Sequence, residues 1–89
     1  MTLQQLRYLC EVAKQSLNIS AAADALHTSQ PGISKQIRLL EDELGVTVFV
    51  RSGKRLVGIT AEGKAVLAAA ERMLHEADKL RSLGKELRT

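Results

Sequence analysis

From Thr60 to Arg88 the chain meets no helix breaker other than Gly63 and Gly84. A continuous helix over that stretch is ~43 Å long at 1.5 Å per residue. The roughly 60 residues before it, if compact, make a body only ~27 Å across. The helix must therefore project beyond its own domain. Its side chains are ordered for that: Val66, Met73, Leu80 and Leu87 recur every seven positions, and so do Gly63, Ala70, Ala77 and Gly84, three residues earlier. Large and small residues alternating along one seam let two helices pack closely. Leu67 and Leu74, on an adjacent strip, are placed to cover the domain's own core. The competing reading, one amphipathic helix folded back on its own domain, is opposed by the length. The expectation is a homodimer through residues 60–88, with Val66, Ala70, Met73, Ala77, Leu80, Gly84 and Leu87 as pairing residues.

Size leads to the same place. A chain of 89 residues hides only ~60% of the surface its unfolded form exposes, so a disulfide, a metal or a partner must help it. The single cysteine, Cys10, excludes an internal disulfide, and the two scattered histidines, His27 and His75, give no metal-ligand spacing. Self-association is left. Cys10 itself falls in an apolar stripe and reads as a small buried residue, since no base or cation is placed to activate it. No apolar signal segment opens the chain, and the longest apolar run, Ala65 to Ala70, is far too short to span a bilayer. A cytoplasmic protein without membrane contact is expected.

Ahead of the long helix, periodicity predicts three more helices and a hairpin. The first runs from about Leu3 to Gln15 with Leu6, Leu9, Cys10 and Ala13 on one face. Ser20 is placed to cap a short helix over Ala21 to Leu26, whose three consecutive alanines allow close approach. His27-Thr28-Ser29 is a brief polar break. Pro31 suits the first turn of a third helix, which continues to Leu44 and stops at Gly45. Two short helices joined by a tight turn make a helix-turn-helix. Val46 to Val50 and Leu56 to Ile59 read as two strands around the Gly-containing loop Arg51 to Arg55. Such a pair is marginal alone and must lean on the helices as a wing.

At 100° per residue the third helix turns Ile33, Ile37, Leu40 and Leu44 to the core and Pro31, Ser34, Lys35, Arg38 and Asp42 outward, with Gln30 at its tip. Glutamine can read adenine, while lysine and arginine can read guanine or hold phosphate. A polar outer face is common to amphipathic helices and proves little alone. The hairpin adds weight: Arg51, Lys54 and Arg55 crowd around Gly53, and no acid lies from Gly45 to Ala61. Glu41-Asp42-Glu43, at the far end of the third helix, would repel phosphates, so only the helix start is expected in a groove. The net charge of +3 agrees with an acidic partner. All this requires the cations of residues 34–38 and of the hairpin tip to share one outward surface.

These residues also carry a resemblance. Ser20-Ala-Ala-Ala-Asp-Ala-Leu26, Ser29-Gln-Pro-Gly-Ile-Ser34, Leu40-Glu, Leu44-Gly, Phe49-x-Arg51 and Thr60-x-x-Gly63 look like the LysR-type transcriptional regulators, in order and over essentially the whole chain. Within that family, Thr28 to Gln36, Leu40 to Gly45 and Arg51 to Lys54 most resemble the CysB-like group that controls cysteine biosynthesis and sulfur assimilation. The resemblance implies a mainly α, winged helix-turn-helix fold of three helices and a short β-hairpin wing, followed by a long linker helix that pairs two chains. It implies DNA contacts at Thr28, Ser29, Gln30, Pro31, Ser34, Lys35 and Arg38, and at Arg51, Ser52, Lys54 and Arg55 of the wing. Family members are normally longer, with an effector-binding domain; for CysB-like proteins the implied effector is an acetylated serine. That domain is absent from these residues.

The expectation is thus a DNA-binding domain over residues 1–59 and a pairing helix over 60–89. Double-stranded promoter DNA is the expected partner, and transcription control the expected role. A winged-helix module used only for protein contact, and a LysR-type regulator of another regulon, are the alternatives. No catalytic triad, metal cluster or phosphate-cradling loop can be assembled, so neither enzyme nor cofactor is expected.

Overall fold

The computed structural model describes residues 1–88. Its elements follow as α1 (Leu3–Lys14), α2 (Ile19–Ala25), α3 (Gln30–Leu44), β1 (Phe49–Ser52), β2 (Arg55–Ile59) and α4 (Ala61–Arg88). Three helices and a hairpin are thus followed by one long helix, as the sequence predicts.

Side-chain caps set each helix start by occupying amides that lack an intrahelical partner. Thr2 and Gln5 form a reciprocal capping box on α1. The cap of α2 is Asn18, whose Oδ1 accepts from the Ala21 amide at 3.0 Å. Ser20, the expected cap, is already the second helical residue and is exposed. Two left-handed residues, Ser16 and Leu17 (φ 57° and 68°), reverse the chain after α1 and let the helix begin earlier. Ser29 caps α3 by accepting from Gly32, Pro31 stands in the first turn, and Gly45 ends the helix in the left-handed region at φ 67°.

Leu6, Leu9 and Val12 of α1 meet Ala22 and Ala23 of α2, and Ile33, Ile37 and Leu40 of α3, in one core. Val48, Phe49, Leu56, Leu67 and Ala70 close it. Three expected core residues differ. Cys10 and Ala13 are only half-buried, with Val12 the buried residue of that stretch of α1, and Leu44 is 38% exposed because α3 outruns the core at its last turn. Val46 to Val48 lead into the hairpin without joining it, so the first strand starts at Phe49. Its two-residue turn is Gly53-Lys54, with Gly53 at φ 60°. Pairing shifts between Val50 and Arg51: Val50 faces Gly58 but Arg51 faces Leu56, leaving Val57 as the extra residue of a bulge. The bulge lets Leu56 and Ile59, three apart, both point inward.

Thr60 begins α4 as predicted, its Oγ1 accepting from the Gly63 amide at 2.8 Å. The pairing seam needs correction at its start. Gly63 lies under the Val48 carbonyl, so close that a Cβ there would collide with the oxygen. Ala70 is only 2% exposed, within the chain's own core, and Val66 packs against the same cluster. The first turns of α4 therefore build the domain, and Ala70 has no surface left for a second chain. Beyond them the helix projects, extending the molecule to 51 Å along its longest axis. Met73, Leu80 (69% exposed) and Leu87 (77%) are uncovered there together with Leu83, while Ala77 is half-buried and a Cβ at Gly84 would stand in open space. Among the described residues no helix is long and apolar enough to cross a membrane.

Gly63→Ala should lower stability by about 1–3 kcal/mol in urea unfolding at fixed chain concentration, although alanine favours helices, because the added methyl meets backbone. Burial, and after it the Glu71 carboxylate, push the Cys10 thiol up to about 11 from 9.0. Its contribution to stability is complete below pH 9 and fades as pH rises towards 11. Wild type should accordingly lose stability over that window relative to Cys10→Ala, and iodoacetamide should label the folded thiol more slowly than free cysteine at pH 8.

Candidate nucleic-acid interface

With Ile33, Ile37 and Leu40 anchored in the core, the opposite side of α3 faces outward. Gln30, Ser34 and Arg38 stand four residues apart and so share one flank of the helix. The hairpin rises beside that flank. Between them lies an open cleft of about 810 Å³, lined by Gln30, Pro31, Ser34 and Arg38 from α3 and by Arg51, Gly53, Lys54 and Arg55 from the hairpin. Arg38 and the hairpin cations thus border one surface, whereas Lys35, the other cation of residues 34–38, does not line it. The cleft also takes in Asn18, the α2 cap, and Ser20, which the sequence suggests only as a cap.

Thr28, Ser29, Lys35 and Ser52 lie outside the cleft lining. Thr28 is half-buried and the Ser29 hydroxyl is engaged as the α3 cap, whereas Lys35 and Ser52 are exposed beside the cleft. Among the described residues no acidic side chain lines the cleft. Arg38, Lys54 and Arg55 form no ion pair among the described residues, so their charge is available to an incoming anion.

Arg51 differs. Strand alternation puts it on the same side as the buried Phe49, facing α3 rather than solvent. Its guanidinium meets Glu41 Oε1 at 3.4 Å. The other oxygen of that carboxylate accepts from the Val48 amide at 2.7 Å and the Phe49 amide at 3.3 Å. Glu41 was expected to form an exposed acidic end of α3 with Asp42 and Glu43. Its side chain is instead only 11% exposed, and Glu43, though exposed, binds the N-terminal ammonium at 2.7 Å, while Asp42 is exposed as expected. Spacing could have revealed this, because Glu41 lies one turn beyond Ile37, at the edge of the core stripe.

A family model described as bacterial regulatory helix-turn-helix protein, lysR family, matches residues 3–64. The chain is 50% identical over 86 residues to the HTH-type transcriptional regulator CysB of Haemophilus influenzae, covering 97% of this chain and 27% of that protein. It is 53% identical over 83 residues to the regulator Cbl of Escherichia coli, covering 93% and 26%. The chain thus spans about a quarter of the length of these relatives. Among solved structures, the BenM DNA-binding domain in complex with its catB site 1 DNA superposes with a TM-score of 0.90 at 32% identity, covering 100% of this chain and 98% of that one.

Proposed function

The chain belongs to the lysR family of bacterial regulatory helix-turn-helix proteins, and on that premise we propose that it docks on double-stranded promoter DNA as a homodimer. The observation that carries this reading is the cleft shared by the α3 face and the hairpin, with Arg38, Lys54 and Arg55 free of ion pairs among the described residues, beside Gln30 and Ser34. The start of α3 enters the major groove, where Gln30, Ser34 and Lys35 choose sequence. The hairpin cations hold phosphate at the flank. That the BenM domain of the same shape is seen with DNA supports this docking.

Pairing is assigned to the projecting part of α4, through Met73, Ala77, Leu80, Gly84 and Leu87, with Leu83 added beside them. Two chains so joined present their recognition helices to successive major grooves about 34 Å apart on one side of the duplex. Residues 1–59 serve DNA and residues 60–89 pairing, except that the first turns of α4 belong to the DNA-binding body. The regulon follows from likeness to CysB and Cbl: genes of cysteine biosynthesis and sulfate assimilation. The work is done in the cytoplasm and needs no catalysis. Effector binding, by an acetylated serine, belongs to the part of such regulators that these residues do not span.

Operators selected from random duplexes by the purified chain provide the test. Arg55→Ala should weaken selected and random DNA alike and flatten the salt slope by about one unit. Gln30→Ala should instead relax preference at one base pair by about 1–3 kcal/mol; equal losses on both DNAs would refute that division of labour. Wild type that shows no salt-dependent retention on any duplex would favour a module for protein contact. Leu80→Glu should convert a dimer to a monomer in sedimentation and weaken binding to a two-half-site operator by about 100-fold.

A further inference from the structure

The cleft holds four cations, but one of them is not free. Arg51 is turned inward by the strand alternation that buries Phe49, and the bulge at Val57 sets it opposite the buried Leu56. There it meets Glu41, whose two oxygens face three donors: the Val48 amide, the Phe49 amide and the Arg51 guanidinium. Val48 and Phe49 are buried core residues at the entrance to the hairpin, and Glu41 lies on the same helix as Gln30, Ser34 and Arg38. One carboxylate therefore ties the hairpin to the helix beside it and offsets the charge of one cleft arginine.

We propose that Glu41 is a positioning residue of the DNA-facing surface: it fixes the hairpin against α3 and neutralises Arg51, so that Arg51 aligns the hairpin instead of gripping phosphate. The proposal rests on the DNA-docking reading above and deepens it. Its consequence is a limit on sequence-independent affinity. Each cation that engages a phosphate steepens the salt dependence of binding to every duplex, whatever its sequence. Withholding Arg51 keeps that shared contribution down, and a rigid hairpin keeps its two tip cations in register with the base-reading face of α3.

Glu41→Gln tests the charge while sparing the fold, because the amide oxygen still accepts from the Val48 N–H. Binding of the folded variant is measured against salt on a selected operator and on a random duplex of equal length. The salt slope on both should steepen by about one unit as Arg51 is released to phosphate. The ratio of selected to random affinity should fall about tenfold. A second change, Arg51→Met, made on the Glu41→Gln background, should return the slope to that of wild type. Arg51→Met alone should lower the affinity ratio without changing the slope, and this variant decides the matter if Glu41→Gln does not fold. A purely structural Glu41 would alter unfolding but leave the slope alone. An unchanged slope in folded Glu41→Gln, or a slope about one unit shallower in Arg51→Met, would overturn the proposal. Wild type that binds neither duplex would sink the docking reading itself, and this inference with it.

Discussion

A two-stranded hairpin has too little apolar surface to hold its own place, and in this chain the remedy is a carboxylate on the neighbouring helix. Glu41 accepts from two consecutive amides where the chain enters β1, and from the arginine two residues further on. Hydrogen bonds to a charged acceptor contribute more than neutral ones, and these lie where water is largely excluded. The Val48 and Phe49 side chains complete the attachment from the core side. The same helix carries Gln30, Ser34 and Arg38, so this joint links the two walls of the cleft.

The long helix divides its work along its length. Its first turns are part of the domain, with Gly63 against the Val48 carbonyl and Leu67 and Ala70 sealing the core under α1. Its later turns have nothing of their own chain to cover, and large apolar side chains stand in solvent there. A rigid helix that starts in the core and ends free transmits the orientation of the recognition face to whatever pairs with its far end. That suits the paired docking on one duplex proposed above.

Much of this was legible beforehand. Period 3.6 in the apolar residues marks each helix, Gly45 marks the end of α3, and Gly53 marks the hairpin turn, since each signal acts over a few neighbouring bonds. Ile33, Ile37 and Leu40 were found as core because a helix wheel needs no knowledge of the partner. The outward groups Gln30, Ser34 and Arg38 followed from the same wheel. The misplacements have physical reasons too. Ser20 and Asn18 are both competent caps, and the choice fell to the left-handed turn at Ser16 and Leu17. Leu44 has the right phase but lies past the edge of the core.

What local chemistry fixed, then, is the order and nature of the elements, together with which side of α3 is wet. The destination of groups that can serve either of two roles was decided by tertiary packing. Seven-residue spacing reads the same whether a small residue meets its own domain or another chain, and the fold assigned Gly63 and Ala70 to the first. An acid and an arginine ten positions apart carry no mutual signal in the sequence. Only the bulged hairpin, laid against α3, brings their charges within 3.4 Å, because contact between distant residues depends on how rigid elements stack and not on the bonds between neighbours.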